Sequence, residues 1–322
     1  MKVLDTYKYR LRLKRWIQGK ISLYVARRYF DPGKPGFFNT IELELRSICN
    51  GTCPFCAAAV QYNKRPDKSM PDALFRKIIK ELGDLDYGGR IGFYVNTEPL
   101  MDDRLVEFIG HARKTCPKAV LHVMTNGKLL DNAIGEAIMD AGTDILEINH
   151  YSDTPVTAPN IDKFMREIAP HYPGKVVLNM RRLTARLNNR AGSSPNAGRL
   201  DKPLKAFCQR PFQKIIISAG GKAGLCEHDF YFDEVMGDVN ISSLKDIWNS
   251  DNYHRIRKAL MSGMRKISPL CAGCDYGGVG SVSDPHRKYR EKKKDDLRFL
   301  DRILEKINKF AVYIAWRDDA RW

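Results

Sequence analysis

The sequence predicts an α/β fold: a partial (β/α)6 barrel of the TIM type, followed by a smaller unit made of a β-hairpin and a helix. Three observations carry this expectation. From residue 41 onward, short β-rich runs alternate with helical stretches whose apolar residues recur at three and four positions, the pattern of βα units around a parallel sheet. Six such runs fit a partial barrel, and after residue 200 the pattern changes to a cysteine-bearing segment. Within it Gly220, Gly221 and Gly224 mark a hairpin turn, and a helix is predicted over residues 244–261.

The β-rich runs fall at residues 41–45, 91–95, 120–125, 145–150, 176–180 and 215–218. Pro71 suits the start of the helix after the first run, because a first-turn proline forfeits no helical hydrogen bond, and Asp102 or Asp103 opens the helix after the second. In the first run Ile41, Leu43 and Leu45 share one face while Glu42, Glu44 and Arg46 share the other. Charges facing inward suit an open barrel with a wet chamber, which makes Glu44, the carboxylate nearer the C-terminal rim, a candidate substrate contact with a catalytic role. The alternative is an edge strand whose glutamates face solvent.

With 322 residues and ordinary apolar content, the chain can bury a sizeable core. It has no run of about eighteen apolar residues and no apolar segment behind its basic N-terminus, so the expected location is cytoplasmic. The formal charge of +16 is concentrated at the ends: residues 1–30 carry nine Lys/Arg against one Asp, and residues 286–322 carry twelve against seven Asp/Glu. Helical apolar spacing makes these ends a basic amphipathic N-terminal extension over residues 1–38 and a basic amphipathic C-terminal helix over residues 285–322. Such ends suit peripheral contact with an anionic membrane at its inner surface, or packing on the barrel with solvated charges. No module of interleaved aromatic and basic residues is present, so nucleic acid is not an expected partner.

Eight cysteines in a chain without a signal point to metal or catalysis rather than to disulfides. Cys49, Cys53 and Cys56 stand in Cys-Asn-Gly-Thr-Cys-Pro-Phe-Cys just after the first β-rich run. Three thiolates hold three irons of a four-iron cluster, and the fourth iron is then open to the amino and carboxylate groups of a small molecule. Structural zinc, the competing reading, usually takes four ligands in paired C-x2-C units. Cys208, Cys226, Cys271 and Cys274 would complete a second, closed cluster, although the C-x2-C pair among them suits zinc as well. Cys116, in Lys-Thr-Cys-Pro, stands alone.

The spacing of the first trio resembles the signature of the radical S-adenosylmethionine (SAM) enzymes. The later set, with steps of 18, 45 and 3 residues and the helix containing Ser243-Leu244-Lys245-Asp246-Ile247-Trp248-Asn249, resembles their twitch domain, a shortened relative of the SPASM domain. The resemblance implies a radical SAM barrel over residues 39–205, a twitch unit over residues 206–284, bound SAM, and two [4Fe-4S] clusters, one binding SAM and one auxiliary. Phe55 takes the place of an aromatic that packs on adenine. Asn96-Thr97-Glu98-Pro99 resembles the Gly-Gly-Glu-Pro element that receives the SAM amino group, with both glycines replaced and Glu98 kept. Thr125-Asn126-Gly127 and Asn149-His150-Tyr151 close the third and fourth runs, where the family holds the adenosine. Asn149 is the expected ribose contact, and His150 reads as a hydrogen-bonded strand-end residue.

The auxiliary spacing is most similar to a branch of the family that oxidises a cyclitol hydroxyl to a ketone. That resemblance implies a sugar, cyclitol or glycan-type substrate, a 5′-deoxyadenosyl radical removing hydrogen from its carbinol carbon, and an auxiliary cluster accepting an electron. It also implies a reducing partner such as flavodoxin or ferredoxin. Arg190, in Asn188-Asn189-Arg190-Ala191-Gly192, falls where a related arginine meets the substrate hydroxyl; a loop arginine paired with a carboxylate is the alternative. An epimerase needs a thiol to return hydrogen, and only Cys116 is left after both clusters are supplied, which tilts the reading toward oxidation. A peptide-modifying or epimerising radical enzyme stays open, as does a non-catalytic iron-sulfur electron carrier or membrane-associated scaffold.

Overall fold

The computed structural model describes residue 23 and residues 36–184 and 188–278. The basic helix expected at the C-terminal end and most of the N-terminal extension lie outside the described residues.

Within them, β1 (Thr40–Leu43), α1 (Asp72–Asp84), β2 (Arg90–Phe93), α2 (Leu105–Thr115), β3 (Val120–Thr125), α3 (Asn132–Asp140), β4 (Ile145–Ser152), α4 (Pro159–Glu167) and β5 (Val176–Arg182) alternate as expected. A short α5 (Arg210–Gln213) leads into β6 (Lys214–Ile217), β7 (Lys222–Gly224) and β8 (Val235–Asp238). Three helices follow: α6 (Leu244–Trp248), α7 (Asp251–Met261) and α8 (Pro269–Gly273).

The helices form because each presents one apolar stripe to the sheet. On α1 the stripe is Leu74, Phe75, Ile78, Ile79 and Leu82, and on α2 it is Leu105, Phe108, Ile109 and Ala112. Phe75 and Phe108 stack at 4.0 Å between the two helices. Neither aspartate caps α2, whose N-cap is Arg104; Asp102 lies two residues before it, its carboxylate accepting from Arg104 N and its carbonyl from Leu105 N, each at 3.1 Å. The helix expected over residues 244–261 is two helices. Asn249 ends α6, and Ser250 starts α7, its hydroxyl facing Tyr253 N at 3.5 Å in the position of an N-cap.

The strands form one sheet in the order β5-β4-β3-β2-β1-β6-β7-β8. From β5 to β6 all neighbours are parallel, whereas β7 pairs antiparallel with β6 and β8 with β7. β6 is therefore both the sixth barrel strand and the first strand of the hairpin. Gly221 makes that turn at φ +90°, its N–H bonded to Ser218 O at 2.9 Å.

β1 lies between β2 and β6, which overturns the edge-strand alternative for its glutamates. Ile41, Leu43 and Leu45 pack into the core with the helices, while Glu42 and Glu44 are buried at 3% and 0% exposure. The barrel interior is polar, as expected, but its charges are paired rather than bathed in water. Glu42 bonds Lys214, and His122 Nε2 lies 3.3 Å from Glu147 Oε2.

Candidate active site

The loops that leave the C-terminal ends of the parallel strands share one rim, the usual place for chemistry in a barrel of this type. The cysteine loop follows β1, residues 96–98 follow β2, and residues 126–127 follow β3.

Cys49, Cys53 and Cys56 lie in a loop of tight turns, with Cys56 N donating to Cys53 O and Ala59 N to Cys56 O, each at 3.1 Å. Gly51 sits inside this loop. Its N–H approaches Cys49 Sγ at 3.3 Å, and a β-carbon there would lie 3.2 Å from Cys49 Sγ and 3.8 Å from Cys53 Sγ. Two thiols thus flank a small space that a glycine keeps clear. Behind them, Cys49 and Cys56 pack on Ala57, Ala58 and Phe230. Burial pushes the Cys49 thiol up to about 12 and the Cys53 thiol up to about 11, so both are neutral at pH 7 without metal. Binding iron as thiolates removes that penalty. A trio of thiols around a glycine-cleared space fits a cluster with one open iron. Among the described residues, no three His, Cys, Asp or Glu side chains are arranged to hold a single metal ion.

Beside the trio, Glu98 is 2% exposed and clamps two strand ends. Its Oε1 accepts from Thr125 Oγ1 at 2.7 Å and Leu100 N at 3.1 Å, and its Oε2 accepts from Asn126 N at 2.7 Å. Burial raises its pKa, while those donors pull it back. A carboxylate has roughly four lone-pair positions, so one stays open for an ammonium donor. Asn126 Nδ2 bonds Asn50 Oδ1 at 2.8 Å and approaches Cys49 Sγ at 3.8 Å, tying the end of β3 to the cysteine loop. Gly127 (φ +75°) follows, where a β-carbon would come 2.6 Å from Ile161 Cδ1. Asn96, at φ +56°, has both side-chain polar atoms buried without a partner, and Thr97 Oγ1 donates to Val95 O at 3.2 Å. Phe55 is buried against Tyr151, ring centroids 4.9 Å apart. An orphaned amide, an open acceptor position and an aromatic face on one rim fit a ligand carrying amino, carboxylate and adenine groups.

Glu44 is fully buried and paired. Arg65 grips its carboxylate at 2.5 and 2.8 Å, and Ala219 N donates to it at 3.1 Å. Arg65 also reaches Phe230 O at 3.3 Å and lies over the Phe230 ring at 5.1 Å. Held by three donors, Glu44 joins the end of β1 to the hairpin and, like Glu98, keeps about one of its four acceptor positions. Asn149 belongs to a buried polar group with Glu147 and Asn179, the latter donating to Glu147 Oε1 at 2.8 Å. His150 Nε2 meets Val156 O at 3.3 Å, in keeping with a hydrogen-bonded strand-end residue.

The second set gathers from separate elements. Cys208 precedes α5, Cys226 follows β7, Cys271 lies in α8, and Cys274 ends it. Cys208, Cys271 and Cys274 are buried. Burial pushes the Cys271 thiol up to about 12 and the Cys274 thiol up to about 11, while Cys226 rises further through burial, the adjoining Glu227 and the other three thiols. Four mutually interacting thiols in an apolar enclosure fit a closed cluster. Buried Arg265 braces the site, donating to Ala206 O at 2.9 Å and to Phe207 O and Tyr276 O at 3.0 Å. Beside it, His228 Nδ1 lies 3.5 Å from Cys274 Sγ.

Arg190 lies on the segment between the two sets. Its Nη1 is 3.6 Å from Cys56 Sγ, a thiol rather than the carboxylate of the bland alternative. Cys116 is buried on the far side, its thiol 3.5 Å from Ile79 O in α1. Arg65, Arg265, His228 and Asn179 escape sequence reasoning because each acts through a partner remote in the chain.

A model of the radical SAM superfamily matches residues 43–191, and a model of an iron-sulfur cluster-binding domain, SPASM, matches residues 208–275. The S-adenosyl-L-methionine-dependent 2-deoxy-scyllo-inosamine dehydrogenase of Niallia circulans is 29% identical over 243 residues, 75% of this chain and 94% of that protein. The crystal structure of BtrN in complex with AdoMet and 2-DOIA aligns with a TM-score of 0.66 at 28% identity, covering 75% of this chain and 94% of that one. The anSMEcpe structure with bound AdoMet aligns with a TM-score of 0.50 at 14% identity over 84% of this chain and 94% of that one, a likeness of fold alone.

Proposed function

From the match of residues 43–191 to the radical SAM superfamily and of residues 208–275 to an iron-sulfur cluster-binding domain, we propose that the chain oxidises a carbinol carbon of a sugar, cyclitol or glycan-type substrate to a ketone. When bound, SAM and the two [4Fe-4S] clusters supply removal of a hydrogen atom from that carbon and acceptance of the remaining electron. The chain's own residues hold and orient the participants. Cys49, Cys53 and Cys56 are assigned to the SAM-binding cluster, and Cys208, Cys226, Cys271 and Cys274 to the auxiliary one. Glu98 presents its open acceptor position to the SAM amino group, Phe55 backs the adenine, and Asn96, Thr97, Thr125, Asn126 and Asn149 complete the polar lining. A guanidinium does not deprotonate near neutral pH, so Arg190 orients the substrate oxygen and stabilises negative charge on it as the proton leaves.

The observation that carries this reading is the position of Arg190, with its head beside Cys56 and its backbone on a segment tied to the turn at residues 271–275. A substrate held by Arg190 sits near the radical-generating trio and on a chain path to the auxiliary thiols. The burial of Cys116 behind the barrel favours oxidation over epimerisation, because the cysteines assigned to the two clusters leave no other thiol to return hydrogen. A flavodoxin or ferredoxin is the proposed reductant.

The test is anaerobic reconstitution with SAM, a reductant and 2-deoxy-scyllo-inosamine or other polyols. Ketone and 5′-deoxyadenosine are expected in equal amounts, with no solvent deuterium in the product. Sustained 5′-deoxyadenosine release without ketone across the polyols would sink the proposal. Deuterium uptake without net oxidation would establish the epimerising alternative.

A further inference from the structure

Asn189 is 1% exposed, and every hydrogen-bonding position of its side-chain amide is filled. Nδ2 donates to Gly198 O at 3.0 Å and to Gly273 O at 2.6 Å, while Oδ1 accepts from Ala191 N and from Asp275 N, each at 3.1 Å. The pairing with Asp275 is reciprocal, since Asn189 N donates to Asp275 Oδ1 at 3.0 Å. Gly273 lies between Cys271 and Cys274, and Asp275 follows Cys274, so one side chain grips the auxiliary cysteine turn from both ends.

The other side of the same segment meets the first cysteine loop. Arg190 reaches Cys56 Sγ, and Ser194 Oγ donates to Phe55 O at 2.8 Å. Between these grips the backbone is strained. Arg190 and Ala191 have φ of +43° and +55°, left-handed values that are strained for a non-glycine residue. Ala191 N and Gly192 N, the latter bonded to Asn189 O at 2.7 Å, hold that conformation in place. Arg199 is wedged between the two segments. A β-carbon at Gly192 would lie 2.0 Å from its Cγ, and one at Gly273 would lie 2.6 Å from its Nε.

We propose that Asn189 is a positioning residue that locks the strained backbone of Arg190 to the turn carrying Cys271 and Cys274, so that the substrate's oxygen and the electron acceptor are held in fixed relation. The inference rests on the oxidation reading for its consequence, though not for its geometry. Losing the lock lets Arg190 relax from its left-handed conformation and frees the turn, so hydrogen removal continues while the second electron is transferred inefficiently.

Asn189→Asp tests this in the full chain with both clusters reconstituted. It keeps the acceptor for Ala191 N and Asp275 N but sets a carboxylate oxygen against the carbonyls of Gly198 and Gly273. Electron paramagnetic resonance of the reduced protein without substrate should show a shifted auxiliary-cluster signal and an unshifted SAM-cluster signal. With 2-deoxy-scyllo-inosamine, ketone formed per SAM cleaved should fall about tenfold, the scale of a small misplacement. Asp275→Asn retains both reciprocal bonds and should give wild-type values on both readouts. A wild-type signal and ratio in Asn189→Asp overturn the inference. If that variant loses auxiliary iron, Asp275→Ala decides: it removes the carboxylate that accepts from Asn189 N while leaving the side chain of Asn189 in place, and a wild-type auxiliary signal and ratio there overturn the inference equally. Absence of ketone from the wild-type protein would count against the oxidation reading, while the resonance comparison would still decide the role of Asn189.

Discussion

The two cysteine sets differ in how the chain assembles them. The first is local, three thiols in one loop after β1, shaped by Gly51 and half-exposed on the rim. The second is drawn from α5, β7 and α8 and enclosed, with Arg265 and Asn189 fastening its parts. A site open to a small molecule is built from neighbours in sequence, whereas a sealed site is built from the fold itself. The first can therefore fail in chemistry while the protein stays folded, and damage to the second spreads into structure.

The sharpest way to break this contrast is to remove thiols one at a time. Cys49→Ala, Cys53→Ala or Cys56→Ala should abolish SAM cleavage, read as 5′-deoxyadenosine, with thermal stability nearly unchanged. Cys271→Ala or Cys274→Ala should spare part of the cleavage, abolish ketone formation and lower the melting temperature. Equal loss of cleavage in both groups would mean that the second set serves folding alone.

A smaller effect tests where the first region joins the second. Arg65→Ala leaves Glu44 buried without its counter-charge, an expected loss of about 3–5 kcal/mol in urea unfolding. Replacing the pair together with Glu44→Gln should recover much of it. Gly127→Ala should cost less, about 1–2 kcal/mol from the left-handed backbone, with added crowding against Ile161 and a raised KM for SAM. The mildest signal is protonic. Because burial holds the Cys49, Cys53, Cys271 and Cys274 thiols protonated at neutral pH, cluster loading must release protons. Reconstitution should acidify a weakly buffered solution and proceed faster as pH rises from 7 to about 9.

Much of this arrangement was legible in the sequence, for reasons that differ by region. The six parallel strands announced themselves through apolar alternation between amphipathic helices, and the first trio through its compact spacing. Spacing also grouped the second four, but nothing in it shows that their enclosure depends on Arg265. The pairing of Glu44 with Arg65 was not legible because Arg65 lies 21 residues away and meets it only after the cysteine loop folds back. The link between Asn189 and Asp275 spans 86 residues, beyond any local pattern. The break between α6 and α7 was signalled by Ser250-Asp251, a start motif that the continuous apolar periodicity on either side concealed.

The double duty of β6 carries a consequence for how such proteins are rebuilt. Since β6 pairs with β1 on one edge and with β7 on the other, the auxiliary unit is not an appended cassette that can be exchanged or discarded. Ending the chain at residue 205 would strip β1 of a neighbour and bare the backbone edge of Thr40–Leu43, an invitation to edge-to-edge aggregation. Electron acceptor and reaction chamber are thus welded along a common backbone, and recombination between relatives would have to inherit both or neither.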